Sequence, residues 1–164
     1  MDKMEEFHIP EDALKKLKNT EYLRKALNEG KSLKEIIGYS EEVMEKFYAA
    51  AYHLFQMKEY VKSADAFLFL TTLDPYVYNF WLGLGMSEQL KEEYESALIA
   101  YSMAILIDPH NPLPHFHSAT CYQKTDNLQD MRASLELAIE YAGDLSEFIE
   151  IKKKSQETLW RLNQ

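Results

Sequence analysis

Two histidines and the single cysteine of the chain lie close together at His115, His117 and Cys121, with His110 nearby. Imidazole and thiolate groups are zinc ligands, and His117 and Cys121 are one helical turn apart. His115 and His117, however, are separated by two positions and point about 200° apart on a helix, and no fourth ligand is indicated. Packing and hydrogen bonding explain these histidines better, so we predict no metal and no cofactor.

Cys121 is also a candidate nucleophile. A small residue near an interface between helices is usually buried, and the base would have to come from His117 on the same face. The sequence contains no phosphate-binding loop, nucleophile elbow or paired-carboxylate motif. The basic run Lys152-Lys153-Lys154 is short and is explained by a solvated face of a last helix. We therefore predict that the protein is not an enzyme.

Composition and charge narrow the function further. The chain has 164 residues, of which 46% are hydrophobic, and only 5 Gly and 5 Pro, which favours one all-helical domain or two small ones. Its net charge of -9 repels phosphate backbones and anionic lipids, so neither nucleic acid nor a stably bound membrane is an expected partner. Apolar runs such as 66–70 are too short to span a bilayer. With one cysteine and no internal disulfide, we expect a cytoplasmic protein.

An internal repeat organises the centre of the chain. Leu73-Asp74-Pro75 and Ile107-Asp108-Pro109 carry the same pattern, and the spacing between them matches the period of tetratricopeptide repeats (TPRs), about 34 residues. The segments 44–77 and 78–111 superpose along this register. The matched positions are Phe47 with Trp81, Ala51 with Gly85, Tyr60 with Tyr94, Ser63 with Ala97 and Phe67 with Tyr101. An aromatic wedge followed one turn later by a small residue lets the paired helices approach closely.

A third, degenerate copy covers 112–143. Pro112 suits a first helical turn, and Gly143 suits a helix stop. His115 replaces the wedge aromatic and Met131 replaces the small residue of the second helix. Stacked repeats need about three units to bury a continuous core. The sequence therefore predicts an all-α TPR superhelix of three tandem repeats spanning 44–143.

Flanking segments are predicted to cap the repeats. Residues 1–9 are expected to be disordered. Within 10–43, Pro10 to Asn28 is predicted to form one amphipathic helix closed by Gly30, followed by a short helix with a Ser32–Glu35 capping box. Residues 144–164 are predicted to form a capping helix that begins at Asp144 or Ser146. The leucine stripe of the first helix packs either on the first repeat or on a second copy of the chain; its members are Leu14, Leu17, Leu23 and Leu27.

The first helix of each repeat lines the concave groove in known TPR arrays, so its face opposite the wedge indicates what is bound. The predicted groove residues are Tyr48, Tyr52, Phe55, Leu82, Met86, Gln89, Phe116, Thr120 and Gln123. This lining is apolar and aromatic at one end and carries amides and hydroxyls at the other. It lacks the Lys and Asn that clamp an acidic chain terminus, so we expect an extended segment with spaced Leu, Val or Pro anchors. The same aromatic positions could instead belong to the core, and both interpretations stay open.

The segment from about 32 to 142 closely resembles the class II chaperones of type III secretion translocators, the LcrH/SycD-like family. The stretches that carry the resemblance are Gly38-Tyr39-Ser40-Glu41-Glu42, Phe80-Trp81-Leu82-Gly83-Leu84-Gly85 and Asn111-Pro112-Leu113-Pro114-His115-Phe116-His117-Ser118-Ala119-Thr120-Cys121. The last stretch is rare in generic TPRs.

This resemblance implies a bacterial cytoplasmic chaperone that binds two hydrophobic translocator proteins before secretion and keeps them apart and soluble. It implies that the groove takes an extended N-terminal segment of the translocator and that the N-terminal helix mediates homodimerisation. The competing interpretation of the sequence is a scaffold that joins two folded partners through its convex side.

Overall fold

The structure of the protein is a computed structural model that describes residue 9 and residues 11–164. The predicted disordered segment 1–9 lies outside the described residues except for Ile9. The helices are α1 Glu11–Lys18, α2 Thr20–Asn28, α3 Leu33–Ile37, α4 Glu41–Gln56, α5 Tyr60–Leu73, α6 Tyr78–Leu90, α7 Tyr94–Ile107, α8 Pro112–Lys124, α9 Leu128–Ala142 and α10 Ile149–Leu162, with a 3₁₀ turn at Ser146–Phe148 before α10.

The predicted single helix from Pro10 to Asn28 is wrong, because α1 and α2 are separate helices divided at Asn19. Asn19 has extended backbone angles, and its side chain accepts a hydrogen bond from the backbone N–H of Tyr22 at 3.0 Å. An asparagine side chain that caps a helix in this way competes with continuation of the helix before it. Pro10 itself lies outside the described residues.

The predicted capping box at the start of α3 is confirmed. The Ser32 hydroxyl accepts from the backbone N–H of Glu35 at 3.3 Å, and the Glu35 carboxylate accepts from the backbone N–H of Ser32 at 2.7 Å. The Glu35 carboxylate also accepts from the Ser32 hydroxyl, and the two bonds that it accepts from Ser32 lower the pKa of Glu35 because they stabilise its charged form. α3 ends at Gly38, whose φ of 87° belongs to the left-handed region that glycine adopts without strain.

The backbone repeats with the period that the sequence predicts. Lys58, Glu92 and Asp126 each close the turn between the paired helices, and their φ angles of 61°, 65° and 56° are the positive values found among the described non-glycine residues. These three turns join α4 to α5, α6 to α7 and α8 to α9. The three helix hairpins are therefore copies of one backbone design.

The wedge position also repeats in its hydrogen bonding. The Trp81 indole N–H donates to the Pro75 carbonyl at 2.8 Å, and His115 Nε2, one repeat period further along, lies 3.3 Å from the Pro109 carbonyl. Because a carbonyl can only accept, His115 is the donor. Burial lowers the pKa of His115, while the bond to Pro109 acts in the opposite direction. His115 thus replaces the wedge ring of Trp81 and keeps its hydrogen bond.

Close packing inside a hairpin depends on the predicted small residue. A Cβ atom at Gly85 would lie 2.5 Å from Tyr101 Cε1, so the absence of a side chain at Gly85 lets α7 approach α6. Tyr101 is fully buried there, and so is Phe67 at the equivalent position of α5. The core is continuous from α1 and α3 through the first two hairpins, and two smaller clusters follow, one between α7 and α8 and one between α8 and α9.

The last helix, α10, continues the array. It packs mainly on α9 and less on α8. In the same way, among the helices that precede it, α8 packs mainly on α7 and less on α6. The register continues as well, because Ser87, Cys121 and Ser155 follow one another at intervals of one repeat period and all are 0% exposed. α10 therefore occupies the place of the first helix of a fourth repeat. None of the helices in the described part of the chain combines the length and apolar character that a membrane span requires.

Candidate peptide-binding groove

An apolar pocket opens between α4 and α6 on the concave side. Its cavity is about 120 Å³ in volume. Five of the predicted groove residues line it: Tyr48, Tyr52, Phe55, Leu82 and Met86. The structure therefore brings together, at one place, the aromatic end of the predicted groove. We call this cavity the aromatic pocket.

The aromatic rings that line the aromatic pocket pack against one another. Tyr48 stacks on Tyr52 with centroids 6.4 Å apart and planes inclined by 12°, and it meets the Phe67 ring edge-on at 5.9 Å. Such ring pairs contribute about 0.5–1.5 kcal/mol beyond the area they bury. Tyr52 remains 48% exposed, whereas burial raises the pKa of Tyr48. The pocket is thus a preformed apolar surface that carries the hydroxyl groups of two tyrosines.

Gly83 makes the aromatic pocket possible. A Cβ atom at this position would overlap the ring of Phe67, so any side chain would displace that ring or fill the pocket beside it. Gly83, Phe67 and Asn79 line the pocket but were not predicted as groove residues. The signal was present in the sequence, because Gly83 interrupts a run of bulky apolar residues within 80–85.

A second cavity of about 240 Å³ adjoins the aromatic pocket near the start of α4 and shares Tyr48 and Asn79 with it. Glu41 and Glu45 stand at its edge. Glu41 is bonded to Lys34, which also lies 3.5 Å from Asp74. Glu45, by contrast, takes part in none of the ion pairs formed among residues 9 and 11–164. This end of the groove is therefore acidic.

The middle of the groove is filled. The His117 imidazole stacks on Tyr101 with centroids 5.6 Å apart and planes inclined by 17°. The Tyr101 hydroxyl donates to Gln89 Oε1 at 2.7 Å, which leaves the amide NH₂ of Gln89 for any ligand. Burial lowers the pKa of His117 to about 4, so its ring is neutral at physiological pH.

The remaining predicted groove residues, Phe116, Thr120 and Gln123, lie at the other end of the groove and face α10. They line a cavity of about 270 Å³ between α8, α9 and α10. The predicted groove residues thus divide into an aromatic pocket, a filled centre at Gln89 and a separate far cavity.

The histidines and the cysteine that could bind a metal or act in catalysis do not converge on one site. His110 and His115 both contact the Tyr141 ring with centroids 5.2 Å away, whereas His117 contacts Tyr101. Cys121 is 0% exposed, and burial raises its thiol pKa to about 11. At neutral pH the Cys121 sulfur is therefore a protonated core atom.

The leucines predicted for dimerisation fall into two pairs. Leu17 packs on the core formed with the first hairpin, and Leu23 is half-buried. Leu14 is 36% exposed and Leu27 is 49% exposed. Ala13 and Ala26, rather than the leucines, are the fully covered residues of these two helices.

Comparison with known proteins assigns the family. No family model matches the chain. The chain is 31% identical over 120 residues to the low calcium response locus protein H of Yersinia pestis, a match that covers 73% of this chain and 71% of that protein. The protein belongs to the class II chaperones of type III secretion.

Solved structures agree with this assignment. PcrH of Pseudomonas aeruginosa, in complex with the chaperone-binding region of PopD, matches this chaperone with a TM-score of 0.75 and 27% identity, over 77% of this chain and 95% of PcrH. Yersinia enterocolitica SycD, in complex with a peptide of the translocator YopD, matches with a TM-score of 0.74 and 29% identity, over 76% of this chain and 95% of SycD. The predicted all-helical TPR architecture is confirmed.

Proposed function

We propose that this chaperone binds hydrophobic type III translocator proteins in the bacterial cytoplasm and keeps them soluble and competent for secretion. It holds an extended N-terminal segment of the translocator in its concave groove. The observation that carries this proposal is the aromatic pocket, which combines preformed rings with an opening kept clear by Gly83. The complexes of PcrH with PopD and of SycD with YopD support the same class of client.

The chemistry of the aromatic pocket favours spaced apolar anchors. Each Leu, Val or Pro side chain buried there contributes about 1.5–3 kcal/mol, from which the cost of ordering the client segment is subtracted. Binding of moderate strength is the expected result, and it suits a chaperone that must release its client to the export apparatus. No catalytic step is part of this function, and the protonated, buried Cys121 is consistent with that.

Co-expression with a translocator tests the groove. We expect Tyr52→Ala with Leu82→Ala to release the client, because both side chains line the aromatic pocket. The matched control is Ile99→Ala with Leu106→Ala, which removes comparable apolar side chains that are 66% and 73% exposed on α7. Recovery of the complex by affinity purification is the measurement. A complex that survives the first pair of substitutions would show the groove assignment to be wrong.

The exposed side chains of Ile99 and Leu106 favour one alternative, a scaffold that binds folded partners through its outer face. The same two double variants separate the proposals. If the protein is a scaffold, substitution at Ile99 and Leu106 abolishes partner binding. Substitution at Tyr52 and Leu82 then leaves partner binding intact.

We also propose that a second copy of the chain covers the exposed pair Leu14 and Leu27. Leu17 is already packed on the core and contributes less to such a contact. Light scattering of purified protein tests this: Leu14→Glu with Leu27→Glu should convert a dimer to a monomer. An unchanged mass, whether of monomer or dimer, contradicts the proposal.

A further inference from the structure

The far cavity between α8 and α10 differs chemically from the aromatic pocket. Its floor is apolar and consists of Phe116, Ala119, Met131 and Leu135. Its wall is formed by charged side chains of α10, Lys154, Glu157 and Arg161. None of these α10 residues was predicted as part of the groove. An apolar floor beside a charged wall suits a ligand in which an apolar side chain stands next to a charged one.

Charges on the α10 wall favour a negatively charged ligand. Two of the three charged residues, Lys154 and Arg161, are cationic, and none of the three forms an ion pair with another residue among 9 and 11–164. These unpaired cations stand in a chain whose net charge is -9. A carboxylate near Lys154 and Arg161 would therefore meet complementary charge in the wall of this cavity.

The register places this wall on the same concave surface as the aromatic pocket. Lys154 lies one repeat period after Thr120 and two after Met86. Glu157 is related in the same way to Gln123 and Gln89. The two cavities are two helix-to-helix intervals apart, or about 16–20 Å at 8–10 Å for each interval. An extended chain covers that distance in about five or six residues.

We propose that the far cavity is a second anchor site of the client segment. It takes an apolar side chain that stands next to an Asp or Glu, about five or six residues from the anchor held in the aromatic pocket. The segment crosses the filled centre, where His117 stacks on Tyr101, without inserting a side chain. This inference rests on the proposed function, since it describes the same client segment.

Peptide selection tests the second site without knowledge of the natural client. The probe is a phage-displayed library of random 16-residue peptides, selected on the full-length protein. We expect enriched peptides to carry apolar anchors with an Asp or Glu at the predicted interval. On Lys154→Glu this acidic preference should disappear. On Lys153→Glu, which makes the same charge change at an exposed α10 position outside the cavity, the preference should persist.

Affinity measurements on one selected peptide make the test quantitative. Fluorescence anisotropy should show binding weakened about five- to tenfold by Lys154→Glu with Arg161→Glu, as expected for a charge pair at a partly desolvated site. Replacing the acidic residue of the peptide by Lys should weaken binding to the wild-type protein and restore binding to this double variant.

The outcomes separate the two proposals. Apolar anchors without acidic enrichment, or an acidic preference that survives Lys154→Glu, would overturn the second site and leave the aromatic pocket intact. Selection that depends on Lys154 but not on Tyr52 and Leu82 would instead overturn the proposed groove function, and with it the role of the far cavity as a second anchor of the same segment. Failure to enrich any peptide would overturn both.

Discussion

Two junctions join the three hairpins: the first lies between hairpins one and two, and the second between hairpins two and three. Equivalent repeat positions meet at both junctions, but the first junction forms a pocket and the second is filled. At the first junction the ring of Phe67 faces Gly83, and a pocket of about 120 Å³ opens beside it. At the second junction the ring of Tyr101 faces His117, and the two rings stack. Gly83 and His117 occupy the same position of the repeat, one period apart in the sequence.

This difference shows that one position in the repeat decides whether a junction is a binding pocket or part of the core. The backbone of the two hairpins is alike, including the left-handed turn residues Lys58 and Glu92. Replacing hydrogen by imidazole at the deciding position supplies a ring that occupies the space a ligand would take. The groove is therefore specified by a missing side chain as much as by aromatic ones.

The largest expected effect comes from emptying the second junction. His117→Gly removes the stacking partner of Tyr101, leaves a cavity and adds a helix penalty, so we expect a loss of about 3 kcal/mol in the free energy of unfolding. Urea denaturation measures it. Gln123→Gly, at an exposed position of the same helix, should cost only the helix penalty of about 1 kcal/mol. Equal losses for the two variants would show that His117 is not part of the core.

Lowering the pH weakens the second junction by charging the same ring. The unfolded chain binds a proton near the ordinary histidine pKa of 6.5, whereas folded His117 resists protonation down to about 4. Stability is thus complete above pH 6.5 and is lost as the pH falls from 6.5 to 4, by about 2 kcal/mol for this half-buried ring.

Denaturation across this pH range measures the effect. His115 contributes in the same direction, because burial lowers its pKa too. His117→Phe keeps a ring on Tyr101 and should flatten the pH dependence without abolishing it. The control is His53→Gln, which removes an imidazole from the exposed surface of α4. A slope that is unchanged in His117→Phe would contradict the burial of this imidazole.

A smaller effect comes from closing the first junction. Gly83→Ala places a methyl group against Phe67, which costs about 1–3 kcal/mol in overpacking and regains up to about 1 kcal/mol in helix propensity. Gly85→Ala, where the added Cβ would lie 2.5 Å from Tyr101, has a comparable cost away from the pocket.

Client binding distinguishes these two glycine variants. Calorimetric titration of each variant with a translocator segment is the measurement. We expect Gly83→Ala to bind the segment more weakly than the wild type and Gly85→Ala to bind it with nearly unchanged affinity. If both variants bind the segment equally well, the comparison between the two junctions fails as an account of the groove.

Much of the architecture was predictable because it repeats. The spacing between Pro75 and Pro109 predicts the hairpins, and the wedge at Trp81 and the small residue at Gly85 have the packing roles expected of them. Periodicity could not predict the break at Asn19, since a capping side chain within an amphipathic pattern preserves the pattern while ending the helix.

The aromatic lining of the first pocket was predictable from the register, but the shape of the groove was not. Sequence positions show which residues face the concave side, whereas occupancy of the centre depends on how His117 and Tyr101 stack. The charged wall was not predicted, because the sequence identifies residues 144–164 only as a capping helix. Extending the register from Cys121 to Ser155 would have placed Lys154 on the groove.

The position of α10 has a consequence for how the protein responds to a client. In a stack of helices each unit is held by its neighbours, and among residues 9 and 11–164 α10 packs on α9 and, less, on α8. A helix with few packing partners opens by local unfolding more readily than one packed on both sides. A ligand that contacts both α8 and α10 would slow hydrogen exchange of the α10 amides, so the order of the last helix reports on occupancy of the groove.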